Sequence, residues 1–331
     1  MTGLSDSFQR PINYLRVSVT DRCNFRCVYC MPEDGVPWMP HNDILTYEEL
    51  LTIVRTAAEM GISRVRITGG EPLVRLGIVE FVRMLAGIPG LTDISMTTNA
   101  IYLAKYGADL KKAGLDRVNI SLDTLQPEKF KKICRGINKD DGLAKVLAGI
   151  EVARQVGLNP VKINMVVMAG VNDDEILDFA RKTITDEWHV RFIELMPYTG
   201  HDGQTPRGIS AREIKKRLDP LGKMEPYKHE KGNGPARYYR FPGAQGTVGF
   251  ITAISEHFCV SCNRLRLTAD GKLRPCLMSE TMIDLREPLR NGISNGELKK
   301  LIQAAVQAKP LEHHLLEGQR PNDRPFCQVG G

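Results

Sequence analysis

The chain has 331 residues, 42% of them apolar, with 45 Lys and Arg against 39 Asp and Glu, a net charge of +6 and a pI near 8.8. That length exceeds one average domain, so one large domain and a smaller one are expected; without an 18-residue apolar run or a hydrophobic N-terminal region, neither a membrane span nor secretion is indicated, and a cytoplasmic location is the expectation. The basic balance invites an anionic partner, a nucleic acid or a phosphorylated small molecule, and eight cysteines in a chain of this kind read as metal ligands rather than disulfides.

In chain order, strand and helix signals alternate from residue 14 to about 195. Strand-like runs are expected at Tyr14–Thr20, Arg64–Thr68, Asp93–Thr97, Arg117–Ser121, Val161–Val167 and Val190–Glu194, each followed by polar loop residues and then an amphipathic stretch. Thr46-x-x-Glu49 and Asn172-x-x-Glu175 read as cap signatures that satisfy free N–H groups in a first helical turn. Leu50, Ile53, Val54 and Ala57 follow at helical spacing and read as core. Repeated βα units imply a parallel sheet with right-handed crossovers, a complete or partial barrel, with ligands at the C-terminal ends of its strands. From about residue 196 the alternation stops. A Gly/Pro-bearing loop from Met196 to Gly203 leads to a capped helix at Ser210-x-x-Glu213 and then to strands at Arg237–Phe241 and Thr247–Ile254.

Directly after the first strand stand Cys23, Cys27 and Cys30 in a C-x3-C-x2-C spacing. Three thiolates so close together converge on one soft metal centre. A structural zinc site wants a fourth protein ligand, and none is near, His41 lying well beyond Cys30. The set therefore points to a 4Fe-4S cluster with one open iron, where a cofactor or substrate binds. After the second strand, Thr68-Gly69-Gly70-Glu71-Pro72 frees backbone groups for close approach to a ligand. Thr97 and Ser121 close the third and fourth strands and place short hydroxyls at the barrel mouth. A second triad, Cys259, Cys262 and Cys276, again lacks a fourth Cys; a zinc knuckle completed by His257 and a second open cluster both fit it. Arg16, Arg66 and Lys162 interrupt apolar strand runs, and Arg64, Arg191, Arg264 and Arg266 lie in or beside strand or cluster segments. Alternate strand residues point into a barrel, and Arg forks suit phosphate oxygens. There is no P-loop.

C-x3-C-x-aromatic-C resembles the radical S-adenosylmethionine superfamily. Together with Cys259-x2-Cys262-Asn263-Arg264-x-Arg266, Cys276, Arg66-Ile-Thr-Gly-Gly-Glu-Pro72, Ser121-Leu-Asp-Thr124, Arg191-Phe-Ile-Glu-Leu-Met-Pro197 and the terminal Gly330-Gly331, it is similar over its whole length to one family, the GTP 3',8-cyclases that begin molybdenum cofactor biosynthesis. The resemblance implies an α/β fold, an open (βα)6 partial TIM barrel (residues 1–220), with a smaller C-terminal domain (221–331) carrying a second 4Fe-4S cluster. It implies Cys23, Cys27 and Cys30 as ligands of one cluster and Cys259, Cys262 and Cys276 of the other, and a site for S-adenosylmethionine made by Tyr29, Gly70, Thr97, Ser121 and Met196. GTP would meet Arg64, Arg66, Lys162 and Arg191 with its triphosphate and ribose. Arg264 and Arg266 would line the inner pocket and Arg16 the same cavity, while Arg264, Arg266, Gly330 and Gly331 would support catalysis. Phe326 replaces the family's frequent Met, and Cys134 and Cys327 take no assigned role. A flavodoxin- or ferredoxin-like electron donor and a downstream cyclic pyranopterin monophosphate synthase are the implied partners, and the sequence is compatible with a homodimer. A peptide-modifying radical enzyme is disfavoured by the terminal Gly-Gly and Cys-Asn-Arg-x-Arg. The modest 6% aromatic content and the absence of a Lys/Arg run disfavour a nucleic-acid binder.

Overall fold

A computed structural model describes residues 3–136, 141–197, 206–228, 234–317, 321 and 324–330. The elements run β1 (Tyr14–Ser18), α1 (Tyr47–Glu59), β2 (Arg64–Thr68), α2 (Ile78–Ala86), β3 (Asp93–Thr98), α3 (Leu103–Lys112), β4 (Arg117–Ser121), α4 (Pro127–Cys134), α5 (Gly142–Gln155), β5 (Lys162–Val167), α6 (Ile176–Thr185) and β6 (His189–Glu194). Then come α7 (Ala211–Arg217), β7 (Glu225–Tyr227), β8 (Arg237–Arg240), β9 (Thr247–Ile251), β10 (Arg264–Leu267), β11 (Lys272–Arg274), β12 (Ile283–Asp284), α8 (Arg286–Arg290) and α9 (Asn295–Gln307). Among the described residues no helix is long and apolar enough to cross a membrane.

All six expected strands of the βα region form, and they pair in parallel in chain order. Beyond residue 220 the chain joins the same sheet at both edges: β9 adds in parallel beside β6 and β10 in parallel beside β1. Antiparallel strands finish each side, giving the order β12-β11-β10-β1-β2-β3-β4-β5-β6-β9-β8-β7. The sheet stays open, as expected of a partial barrel, and its parallel part is two strands wider than the six βα units alone supply.

Alternation along each strand separates two chemistries. Leu15, Val17, Val65, Ile67, Ile94, Met96, Val118, Ile120, Ile163, Met165, Val190 and Phe192 are buried in one apolar core with the helices. Their alternate neighbours, Arg16, Arg66, Ser95, Arg117, Asn119, Lys162 and Arg191, are also buried but face the inside. Helix α1 begins as its sequence directs, with a full capping box between Thr46 and Glu49, and buries Leu50, Ile53, Val54 and Ala57. Ser210 caps α7 through the N–H of Glu213.

Asn172-x-x-Glu175 does not form the expected cap. The Asn172 amide donates to the carbonyls of Asp123 and Val166 and its oxygen accepts from the Met168 N–H. Glu175 is buried and accepts from Thr124 Oγ1 and Leu125 N, both at 2.6 Å. Both side chains are spent on tertiary anchoring of the β4 and β5 ends, which outcompetes local capping.

Candidate functional site

The thiol loop leaves the C-terminal end of β1 and lies against two supports. On one side, Arg26 N donates to Cys134 O (2.8 Å) and Val28 N to Ile133 O (3.0 Å), so the loop pairs with the end of α4. Arg135 then holds the Arg26 and Met31 carbonyls. On the other side lie Gly69 and Gly70: Gly70 N donates to Thr20 O and Glu71 N to Arg22 O, each at 2.8 Å. A Cβ on Gly70 would fall 2.3 Å from Arg22 O, and one on Gly69, whose φ is +146°, 2.5 Å from Thr20 O. Only glycine permits that approach. Glu71 fastens the next turn by accepting from Thr98 Oγ1 and Asn99 N, both at 2.7 Å, and from Leu73 N. Burial pushes its carboxyl up to about 7 against those three donors.

Cys23, Cys27 and Cys30 are half-buried on this loop. Burial first, then the neighbouring Cys27, drives the Cys23 thiol well above its ordinary value. The neighbouring Cys134 for Cys27 and Cys327 for Cys30, followed by burial, push both thiols well up. The loop thus favours the protonated form of its three thiols. Tyr29 OH donates to Asp123 Oδ2 at 2.8 Å, while Asp123 Oδ1 accepts from Val166 N. Asp123, which sequence reasoning left without a role, therefore fixes the aromatic between two thiols. Thr97 and Ser121 end β3 and β4 beside this loop and Met196 follows β6, so these residues and Gly70 are brought to one end of the strands.

The second triad lies at the opposite end. Cys262 stands two residues before β10, which runs parallel to β1 with Tyr14 opposite Arg264, so this triad sits at the strands' N-terminal ends. The Tyr14 and Ser18 levels are about 13 Å apart at ~3.3 Å per residue. Arg10 anchors the Cys259 carbonyl at 2.7 Å, and buried Lys309 donates to Arg264 O and Pro275 O. Burial resists charge on Cys262, but Arg264 and Lys309 outweigh it and bring this thiol down to about 6. His257 Nε2 pairs with Glu312 at 3.2 Å. No group of three or more His, Cys, Asp or Glu side chains among the described residues closes around a single ion.

Between the triads the inner face is cationic. A cavity of about 520 Å³ is lined by Arg66, Arg117, Lys162 and Arg191 and roofed by the β7–β8 hairpin through Tyr227, Tyr238 and Tyr239. It lies toward the N-terminal halves of the strands, away from the end where barrel ligands were expected, because the basic residues occupy early strand positions and the hairpin covers them. Burial, then Arg191, Arg117 and Arg66, depress Lys162 to about 6. Burial lowers Arg66 to about 10 and, with Lys162, His189 to about 4. Arg64, half-buried at the start of β2, does not line the cavity. Arg117 does, and its place in the same alternating register was the signal that would have found it.

Arg16 and Arg266 hold the C-terminal tail. Arg324 forks onto Asp270 at 2.7 and 2.9 Å, and the chain then enters the barrel until Gly330 O accepts from Arg16 Nη2 (2.8 Å) and Arg266 Nη1 (3.1 Å). Gly330 has φ +78°, and a Cβ there would meet Thr68 Oγ1 at 2.9 Å. Phe326 does not prevent deep entry; Gly331 lies outside the described residues. Tyr14 OH, Thr97 Oγ1 and Asn164 Oδ1 are buried with no hydrogen-bond partner. Together with Arg191 Nε, these orphaned polar atoms on the inner face fit a polar ligand.

Two family models match the chain: the radical SAM superfamily over residues 17–183 and Molybdenum Cofactor Synthesis C over residues 188–315. A GTP 3',8-cyclase of Heliobacterium modesticaldum is 53% identical, covering 98% of this chain and 99% of that protein. One of Moorella thermoacetica is 52% identical, covering 99% and 100%. Among solved structures, Streptococcus suis SuiB bound to S-adenosylmethionine matches with a TM-score of 0.61 at 14% identity, over 96% of this chain and 77% of that one, a likeness of fold alone.

Proposed function

Because the chain belongs to the GTP 3',8-cyclase family of the radical S-adenosylmethionine superfamily, we infer that it is the lyase that converts GTP to 3',8-cyclo-7,8-dihydro-GTP with two 4Fe-4S clusters. S-adenosylmethionine, held at one of the clusters, would supply the radical chemistry that removes the 3' hydrogen of GTP, and an electron and a proton would complete the new bond to guanine C8 as the 7,8-dihydro product.

The observation that carries the assignment of roles is the order along the inner face: one thiol triad at the strand C-terminal ends, the other at the N-terminal ends, and a cationic cavity toward the second. In our reading residues 1–220 hold S-adenosylmethionine through Cys23, Cys27 and Cys30, with Tyr29, Gly70, Thr97, Ser121 and Met196 around it. The orphaned Thr97 hydroxyl is a ready donor there. Residues 221–331 supply the second cluster through Cys259, Cys262 and Cys276 and the tail. Arg66, Lys162 and Arg191 take the triphosphate, joined by Arg117; Arg64, two residues before Arg66 on the same strand but outside that cavity, is assigned to the ribose region. Arg264, against the Phe258 ring at 4.7 Å, orients the guanine end. Arg16 and Arg266 act through Gly330, closing the channel to water, and Gly331 is assigned to the support of catalysis with them. A flavodoxin- or ferredoxin-like protein would deliver electrons, and a cyclic pyranopterin monophosphate synthase would take the product.

Anaerobically reconstituted protein incubated with GTP, S-adenosylmethionine and dithionite tests the reading, with 5'-deoxyadenosine and cyclised GTP measured together. Cys23→Ala should abolish both products. Cys262→Ala should spare uncoupled 5'-deoxyadenosine and remove cyclised GTP; cyclised product from that variant would overturn the division of labour.

A further inference from the structure

Arg10 and Lys309 are buried cations with no part in the assigned chemistry, and both hold main-chain carbonyls around the second triad. Lys309 follows α9, whose apolar face of Leu298, Ile302, Ala305 and Val306 is buried in the core and fixes where the helix ends. From there its Nζ donates to Arg264 O at 2.9 Å and to Pro275 O at 2.6 Å. Those carbonyls lie two residues after Cys262 and one before Cys276, so one ammonium joins the segments that carry two of the three thiols. Arg264 Nη2 also reaches Cys262 Sγ at 3.5 Å, on the same short segment. Arg10 completes the set. Its guanidinium donates to Cys259 O at 2.7 Å and to Leu311 O and Pro310 O at 2.7 and 2.6 Å, while Asp6 holds its Nε. Residues 309–311 are therefore tied to all three cysteine segments, two through Lys309 and the third through Arg10. An ammonium only 3% exposed is unfavourable unless paired. Its two carbonyl partners offset part of that penalty and, being neutral, leave its positive charge to act on anions beside it.

We propose that Lys309 is a positioning residue for the second cluster: it locks the segments bearing Cys262 and Cys276 to the stretch that Arg10 ties to Cys259, and lends its charge to their thiolates. The proposal rests on the reading of Cys259, Cys262 and Cys276 as cluster ligands. Thiolates at the triad concentrate negative charge in a partly buried place, and a fixed cation there offsets it. Holding the segments together also lowers the conformational entropy lost when the three ligands close on iron. A sulfur on a restrained segment rebinds more readily than one on a loose loop. The competing account is that Lys309 only pins the end of α9 to the sheet and matters for global stability alone.

The experiment follows iron release from the anaerobically reconstituted full chain to an excess of ferrous chelator, with each cluster tracked by electron paramagnetic resonance and the first identified as the signal that changes on adding S-adenosylmethionine. In Lys309→Met, which keeps the length of the side chain without its charge or donors, the second cluster should release its iron at least about tenfold faster, the effect of losing a hydrogen bond from a charged group. The first cluster's release should stay as in the wild type. Lys309→Gln keeps a donor without the charge and should fall between the two; if the methionine variant does not fold, it gives the same reading with a smaller change. Unchanged release of the second cluster in a folded variant overturns the proposal. So does equal acceleration at both clusters together with a lower melting temperature of the iron-free protein, which would return Lys309 to pinning α9. Failure of the ligand reading looks different: the wild type itself would release all its iron in one phase, from the cluster that responds to S-adenosylmethionine.

Discussion

Lys162 offers the sharpest test of the anionic pocket, because its ammonium is held near neutrality in the free protein. Burial and the positive neighbours Arg191, Arg117 and Arg66 bring it to about 6, with Asp93 opposing weakly. At pH 8 only about one molecule in a hundred then carries the proton. A bound triphosphate brings about four negative charges and favours the ammonium, returning its pKa toward ~10.4. Binding GTP at pH 8 should therefore take up close to one proton. The sign follows: affinity rises about tenfold for each unit the pH falls from 9 toward 6 and levels off below 6, where the lysine is already charged. Isothermal titration of reconstituted protein with GTP, in buffers of different ionisation enthalpy at one ionic strength, reads the proton number as a slope. In Lys162→Arg the charge is permanent, so the slope should vanish and the pH dependence flatten, any remainder belonging to His189. A wild-type slope near zero, or one unchanged in Lys162→Arg, refutes the reasoning.

Arg191 is held by the neutral Asn119 oxygen at 2.5 Å, so Asn119→Asp should add a counter-charge, preserve or raise the melting temperature and weaken GTP binding by roughly tenfold or more; unchanged affinity in a binding titration would remove Arg191 from the site. Glu71→Ala leaves the Thr98, Asn99 and Leu73 donors unmatched and should cost about 2–4 kcal/mol in chemical denaturation, with under ~0.5 showing that water replaces the carboxylate. Gly330→Ala strains a positive φ and crowds Thr68. Hydrogen exchange at residues 324–330 should quicken and cyclised GTP fall at least about tenfold while 5'-deoxyadenosine persists; full product from an unseated tail would show the tail to be dispensable.

The βα frame was legible because its strands are short apolar runs with one conspicuous intruder each: Arg16, Arg66 and Lys162 break the pattern at positions of common facing, and that facing is what the structure shows. The same period is present in Arg264-Leu-Arg-Leu267, but the adjacent thiol motif absorbed those residues and β10 went unread as a strand. Its pairing with β1 depends on a contact some 250 residues away in sequence, which local pattern does not encode. Asn172-x-x-Glu175 misled for a related reason: a side chain that can cap a helix can equally reach a carbonyl on another strand, and only the assembled barrel decides. Lys309 and Cys134 carry no local signal at all. Each becomes informative once a distant loop packs against it. The glycines of Thr68-Gly-Gly-Glu-Pro72 were read as making room for a ligand, and the structure adds an earlier demand, room for the backbone of the thiol loop.

The way the barrel holds its cations explains how it tolerates them and still attracts an anion. A buried charge needs hydrogen bonds or pairing, and paired carboxylates would satisfy that need while cancelling the field. Here most partners are neutral. Arg16 has the Gly330 carbonyl, Arg66 the Ser95 hydroxyl at 3.3 Å and the Tyr14 ring at 5.4 Å, Arg191 the Asn119 amide and Lys162 the Tyr238 ring at 5.1 Å. Arg117 has a carboxylate, Asp93 at 2.5 Å. Dipoles and aromatic faces fix the direction of these side chains, and the repulsion that burial, Arg191, Arg117 and Arg66 impose on Lys162 is relieved when a polyanion enters. Pre-positioned donors then need little rearrangement on binding, and the same uncompensated field that weakens the empty protein strengthens its complex.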